Sequence, residues 1–550
     1  MNTPDSESQQ LLSATIERLH AIQSPQDVLP PLSVLEHARR QLVSELPAEG
    51  RGLAETIRHL QEDLKPAFNA SSRSANYYGF VTGGSTPIAS IADNFVTACD
   101  QNVQVHLPNE TVATDVEDRA LSLLCELLDL NPESWPHRTF TTGATASNVV
   151  GLACGREYVI AEASAHRTDV EISVGENGIV EAMHRAGIDK IQILTTVPHS
   201  SLSKAASILG LGRASVVTVG REDAPHKFDM KVLRNLLEQP SSASIVAVSA
   251  SEVNTGLFAT MGREEMQELR NLCDMYGAWI HVDGAFGILG RVLHKHTHES
   301  ITQACAGLEL ADSITGDGHK LLNVPYDCGF FLSRHRNIAA RVFQNPNAAY
   351  LATSNGPDTI MSPLNIGLEN SRRFRALPVY ASLVAYGKSG YRDMLERQIE
   401  LSRGIAEFIL ESEDYELLPE SGADKKETLS SIFIIVLFRA KDDSLNKRLV
   451  DSIKATRKIY VSGTSWNGQA ACRFAVSNWQ TDVAKDLPLI KEVLQSVVVS
   501  KRKYTFVVNP STKWTTSAWT MDSAVTCPPS CRPHKLVPHT DVLSSAPQQP

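Results

Sequence analysis

At 550 residues, with 42% hydrophobic and 21% charged side chains, the chain has the balance of a folded globular protein and is too long for one simple core, so two or three packed units are expected. A formal net charge of −10 supplies no global positive field to gather phosphate backbones or an anionic membrane surface. That balance argues against nucleic acid as a partner and points to small molecules.

The N-terminal segment Met1–Ser8 is polar and acidic, without the basic start and apolar run of a secretory signal, so export is not expected. Residues 1–70 read as helical: Leu53, Ile57, Leu60 and Leu64 recur at i, i+4, i+7 and i+11, an apolar stripe that needs a partner surface. From about residue 139 the texture becomes short β-branched runs, each followed by a turn and a helical pattern, as at 191–197, 214–219, 245–249, 279–282 and 329–332. Strands alternating with helices predict a mostly parallel sheet covered on both faces, with ligands at the carboxyl ends of its strands. The expected fold class is therefore α/β, with a large domain over 71–373.

A helical stretch from about 374 to 411 opens a smaller C-terminal α/β domain over 374–499, which includes the apolar run 432–438 and the strand pattern 472–477. At seven residues the run 432–438 is far below the roughly 18 to 20 needed to cross a bilayer, so no membrane span is expected. Residues 500–550 turn to Ser, Thr, Pro and Lys without periodicity and read as a tail. The nine cysteines, an odd count with no repeated spacing, suit thiols in a reducing, cytoplasmic setting. Cys527, Cys531, His534 and His539 could offer two thiolates and two imidazoles to zinc, but the intervals are compressed and lack an apolar frame, so no metal is expected.

The residue types that carry chemistry fall at predicted strand ends and helix starts. Lys320, flanked by Gly318, His319, Leu321 and Leu322, is expected to be half buried, where desolvation lowers an amine's pKa and favours Schiff-base chemistry. Asp283 closes the strand pattern 278–283; a turn or cap aspartate is the commoner explanation for such a residue taken alone. The small residues of Phe140-Thr-Thr-Gly-Ala-Thr-Ala-Ser-Asn148 precede a helical pattern and could close their N–H groups on a phosphate, or simply cap the helix. His199 follows a strand and opens the next helix.

Taken together, His199-Ser-Ser-Leu-Ser-Lys-Ala, His281-Val-Asp-Gly-Ala-Phe-Gly, Asp317-Gly-His-Lys-Leu-Leu-Asn and Arg372-Arg-Phe-Arg resemble the group II pyridoxal-dependent decarboxylases, which include the aromatic-L-amino-acid and glutamate decarboxylases. The resemblance covers roughly residues 70–490. It implies the pyridoxal-phosphate fold type I architecture and pyridoxal 5′-phosphate as cofactor, with an L-amino acid, aromatic by preference, as the substrate converted to an amine and CO2. It also implies a homodimer in which the N-terminal helices are exchanged between subunits.

By the same resemblance Lys320 is the Schiff-base lysine, Asp283 the partner of the pyridinium nitrogen and His199 the residue stacked on the ring. Gly143, Ala144 and Thr145 take the phosphate-loop positions, and Ala285, Asp317 and His319 lie beside the cofactor. The segment 343–351 matches a loop whose tyrosine protonates Cα after CO2 is lost, which makes Tyr350 the expected acid. Two departures put substrate class in question: Ser251-Glu-Val-Asn-Thr-Gly256 replaces a Gly-Thr-Thr run, bringing an unassigned acidic Glu252 near the site, and Leu321 stands where a tryptophan often follows the lysine. Another fold type I reaction, namely oxidative deamination, transamination or carbon–carbon lysis, is the nearest alternative, and a non-catalytic scaffold is a more distant one.

Overall fold

A computed structural model describes residues 27–165, 172–345, 360–420 and 422–505, with side chains as far as 499. Tyr350 and the Cys527–His539 cluster lie outside the described residues.

The larger sheet has seven strands: β1 (His137–Thr141), β2 (Lys190–Thr195), β3 (Val216–Thr218), β4 (Ser242–Ser249), β5 (Trp279–Asp283), β6 (Ser313–Asp317) and β7 (Gly329–Ser333). Their spatial order is β1-β7-β6-β5-β4-β2-β3. The pairs β2/β3, β2/β4, β4/β5 and β5/β6 are parallel, and β7 runs antiparallel to both β6 and β1. This is the expected mostly parallel α/β sheet. One reversed strand leaves the ends of β1, β4, β5 and β6, at Thr141, Ser249, Asp283 and Asp317, on a single edge.

The strands are nearly continuous apolar runs because both faces are covered; Ile245, Val246, Ala247 and Val248 are all buried. The helix α1 (Ala144–Ala165) shows the same logic in helical form, being apolar around most of its circumference and buried along most of its length. Its Gly151 and Gly155 let it lie close to the sheet, since a Cβ at Gly151 would stand 2.4 Å from His281 Cε1 and one at Gly155 would stand 3.0 Å from Trp279 Cδ1.

A long helix, α3 (Ala376–Leu410), leads to the second sheet and contains a break at Gly387, whose φ of 56° departs from the helical region. That sheet comprises β8 (Tyr415–Leu418), β9 (Ile435–Ala440), β10 (Tyr460–Trp466) and β11 (Gln469–Ala475), joined at its edge by Tyr77–Tyr78 paired in parallel with β10. The apolar run 432–438 thus enters β9 three residues later than its composition suggests. In the N-terminal region a helix spans Gly52–Arg58 and continues as a wider turn over His59–Leu64. Of the expected stripe Ile57 is buried, whereas Leu53 and Leu60 are 40% and 50% exposed. Among the described residues no helix is long and apolar enough to cross a membrane.

Candidate active site

The strand ends gather around a cavity of about 390 Å³, within the range of small-molecule sites. Its walls bring together Lys320, Asp283, His199, Gly143, Ala144, Thr145, Ala285, Asp317 and His319. These residues span 178 positions of sequence. Each stands where a strand stops or a helix starts, because only there does an α/β sheet release side chains from its buried layers.

Lys320 follows β6 in a turn, and its side chain is 17% exposed, as its apolar neighbours suggest. Its Nζ stands 2.8 Å from Asp317 Oδ2 and 5.7 Å from the centre of the Phe286 ring. Asp317 Oδ1 accepts the Ala144 N–H at 2.5 Å, so a single carboxylate joins the lysine to the start of α1. His319 accepts the Cys328 N–H at Nδ1 over 3.2 Å and stacks on Tyr326 with ring centres 4.1 Å apart. Burial holds the His319 imidazole below its ordinary pKa, against the opposing pull of Asp317.

Asp283 is the last residue of β5, and its carboxylate accepts from the Ala285 N–H at 3.2 Å and from Asn148 Nδ2 at 3.1 Å. His199 caps the helix α2 (Ser200–Ile208) from an extended backbone conformation, its Nδ1 accepting the Ser201 N–H at 3.3 Å. Burial lowers the pKa of this imidazole too, while Asp283 opposes the shift and Lys320 adds to it.

The cavity fits the group that the sequence implies. A Cβ at Gly143 would come within 3.1 Å of His319 Cε1 and 3.4 Å of Asp317 Oδ1, so glycine keeps space open beside the start of α1. Thr145 and Ala146 line the cavity in the first turn, where N–H groups have no carbonyl partner within the helix and the helix dipole favours an anion. A phosphate at that end, a carboxylate at Asp283 and an amine at Lys320 match the three ends of pyridoxal phosphate.

Several residues at the site are not evident from the sequence. Phe80 and Tyr326 line the cavity, Phe80 from the loop that leaves the edge strand Tyr77–Tyr78 of the second sheet. Glu252, expected near the site without an assigned role, lines it as well; its carboxylate accepts the Asn254 N–H at 2.7 Å and both the N–H and the hydroxyl of Thr255, so it braces the turn after β4. Asn148, Ser201, His281 and Ser313 form a buried polar chain behind Asp283 and His199. The available signal for it was a polar Asn148 just before the apolar run 149–155 of the helix. The Arg372-Arg-Phe-Arg375 motif does not line the cavity. Arg372 is buried against Glu117, Arg373 pairs with Asp93 at 2.6 Å and Arg375 pairs with Asp327 at 2.8 Å.

A seven-stranded, mostly parallel sheet with a lysine, an aspartate and a helix start on one edge defines the fold type I class of pyridoxal-phosphate enzymes. The rice structure described as "Oryza sativa TDC with PLP and tryptamine" superimposes with a TM-score of 0.73 at 17% identity, over 91% of this chain and 100% of that one. Mouse CSAD gives a TM-score of 0.71 at 18% identity, over 89% and 98%. In sequence, L-2,4-diaminobutyrate decarboxylase of Acinetobacter baumannii is 28% identical over 59% of this chain and 61% of its own length, so the chain spans somewhat less than two thirds of that relative. Aspartate 1-decarboxylase of Aliivibrio fischeri is 24% identical over 84% of each chain. The pyridoxal-dependent decarboxylase conserved domain matches residues 36–426. The chain belongs to the pyridoxal-dependent decarboxylase family, whose members are carboxy-lyases that use pyridoxal phosphate.

Proposed function

We propose that this chain decarboxylates an L-amino acid, aromatic by preference, to the corresponding amine and CO2 in the cavity around Lys320. The observation that carries the proposal is the convergence of the Lys320 amine, the Asp283 carboxylate and the first turn of α1 on one enclosed space. Bound pyridoxal phosphate supplies an electron sink for the bond that breaks at Cα.

The chain's own residues divide the remaining work. Lys320 supplies the amine that holds the cofactor, with Asp317 keeping Nζ at the cavity floor. Asp283 holds a proton on the pyridine nitrogen, since an anionic acceptor fixed by two hydrogen bonds favours the protonated ring. Gly143, Ala144 and Thr145 would receive the phosphate, Ala285 and His319 would lie beside the cofactor, and His199 would stack on it and meet the substrate carboxylate. By holding the substrate carboxylate, His199 would set which bond at Cα is broken and so favour decarboxylation. Tyr350, outside the described residues, is assigned the proton delivery to Cα on sequence resemblance alone.

The aromatic preference draws support from Phe80, Phe286, Tyr326 and Val253 in the cavity wall. A cationic side chain is the second reading, favoured by Glu252 in the same wall and by the diaminobutyrate relative. Screening the purified protein with pyridoxal phosphate against aromatic, acidic and diamino acids for CO2 and amine release separates the readings; amine formation from none of them refutes both. The proposed assembly is a homodimer, with the N-terminal segment 1–70 at the interface, a cofactor-binding domain over 71–373 and a smaller domain over 374–499.

A further inference from the structure

Behind the cavity, five side chains form a hydrogen-bonded chain whose direction is set by its two ends. The Trp279 indole can only donate, and it donates to Ser313 Oγ at 2.9 Å. The Asp283 carboxylate accepts, and it takes a hydrogen from Asn148 Nδ2 at 3.1 Å. Between them, Ser313 Oγ lies 2.8 Å from His281 Nδ1, and His281 Nε2 lies 2.9 Å from Asn148 Oδ1. Asn148 must present its amide nitrogen to Asp283, so its oxygen accepts from His281 Nε2–H, and His281 Nδ1 then accepts the Ser313 hydroxyl. Every hydrogen is used once, with His281 neutral.

The same amide has a second hydrogen, which it donates to Ser201 Oγ at 3.0 Å. Having accepted there, the Ser201 hydroxyl turns its own hydrogen to His199 Nδ1, 2.7 Å away. The Ser201 N–H meets the same nitrogen at 3.3 Å, so Nδ1 carries no proton and Nε2 does. Asn148, Ser201, His281 and Ser313 are all buried, so no bulk water completes these bonds in their place. Gly151, one turn along α1 from Asn148, leaves the room that the His281 ring occupies.

We propose that Asn148 is a positioning residue that joins Asp283 and His199 through one directional hydrogen-bond relay rooted in Trp279, Ser313 and His281, holding Asp283 in place and turning the Ser201 hydroxyl onto His199 Nδ1, the nitrogen that the Ser201 N–H already keeps unprotonated. The proposal rests on reading Asp283 and His199 as the cofactor and substrate contacts. It adds a specific consequence: the two are set by a single amide and respond together to its replacement.

The test uses holoenzyme labelled with 15N-histidine, with the His199 resonances identified by their loss in His199→Gln. In the parent, His199 is expected to be protonated at Nε2 and not at Nδ1. In Asn148→Asp the carboxyl group has no hydrogen left for Ser201 once Asp283 is served, whether it is ionised or protonated. The Ser201 hydroxyl then turns toward residue 148, so His199 Nδ1 loses that hydrogen bond and keeps only the Ser201 N–H, and its 15N resonance is expected to move from the parental position toward that of a less strongly bonded, unprotonated nitrogen. Asn148→Leu removes both donors without adding charge and is expected to weaken pyridoxal-phosphate affinity at least about tenfold, because a hydrogen bond to a buried carboxylate is lost. Ser201→Ala leaves the Asp283 branch intact and is expected to change that affinity less than about twofold.

A parent His199 protonated at Nδ1 overturns the relay without any variant. So does an Asn148→Asp protein whose His199 Nδ1 resonance keeps the parental position, or an Asn148→Leu protein that keeps the parental cofactor affinity; the second carries the test where the first does not fold. Failure of the underlying functional reading is separate, because it appears as no cofactor reducible onto Lys320 by borohydride, whereas the tautomer is read on the histidine itself.

Discussion

Asp317 and Lys320 stand three residues apart with Oδ2 and Nζ at 2.8 Å, and the same carboxylate holds the Ala144 N–H through Oδ1 at 2.5 Å. The lysine turn and the start of α1 are thereby locked to one another across 173 residues of chain. Charge-assisted bonds of this kind contribute about 1.5 to 3 kcal/mol each. Asp317→Asn is expected to lower pyridoxal-phosphate affinity by about tenfold or more and to lower the melting temperature of the cofactor-free protein as well, since both bonds are made without the cofactor. Fluorescence titration with the cofactor measures this, and an unaltered dissociation constant contradicts it.

Lys320→Ala removes the amine on which covalent attachment depends. The variant is expected to fold, because the side chain reaches into a cavity, although Asp317 loses its ion-pair partner there. It is expected to give no borohydride-stable cofactor adduct on peptide mapping. An adduct on a different lysine would reassign the site.

For Tyr350→Phe, the expected change is in product rather than in cofactor binding. The carbanion left at Cα after CO2 departs either takes a proton, giving the amine, or reacts with dioxygen, giving aldehyde, ammonia and hydrogen peroxide. Phenylalanine keeps the shape of tyrosine and removes its proton. Amine release should fall and peroxide should become measurable in a coupled peroxidase assay; amine formation at the parental rate would place the proton donor elsewhere.

Burial pulls the imidazoles of His137 and His281 down to about 4, the latter against the opposing charge of Asp283. An unfolded histidine titrates near about 6.5, so between these values the unfolded chain binds protons that the folded chain refuses. The stabilisation is therefore complete above about pH 6.5 and is lost progressively as pH falls toward 4. The urea midpoint should decline across that window at constant ionic strength, and His137→Gln should flatten the slope. A parental midpoint independent of pH over that window would show that these rings are protonated in the fold.

Leu53 and Leu60 remain 40% and 50% exposed on a helical stripe of which Ile57 alone is buried among the described leucine and isoleucine positions 53, 57 and 60. A homodimer that covers them should scatter light with twice the mass of a 60.1 kDa chain, and L53K/L60K should shift it toward the single-chain mass. A fully active parental species of 60.1 kDa would remove the proposed interface.

What the sequence determined by itself was local. Alternating β-branched runs and helical patterns specified the α/β class, because period and turn chemistry are properties of neighbouring residues. Lys320, Asp283, His199 and the Gly143–Thr145 turn fall at strand ends and helix starts that chain punctuation marks, but taken singly each has an ordinary structural explanation, and their expected roles came from the family resemblance of the motifs together. The tertiary structure alone decided which of the remaining polar residues belong to the site. Asn148 meets Asp283 135 positions away and His281 133 positions away, and nothing local announces those partners. Arg372, conspicuous within a basic motif, turned out to neutralise buried Glu117, whereas Phe80, given no role from the sequence, forms part of the cavity wall. A buried polar group requires a partner, but sequence states only the requirement; which partner meets it depends on how the sheet brings distant strand ends to one edge.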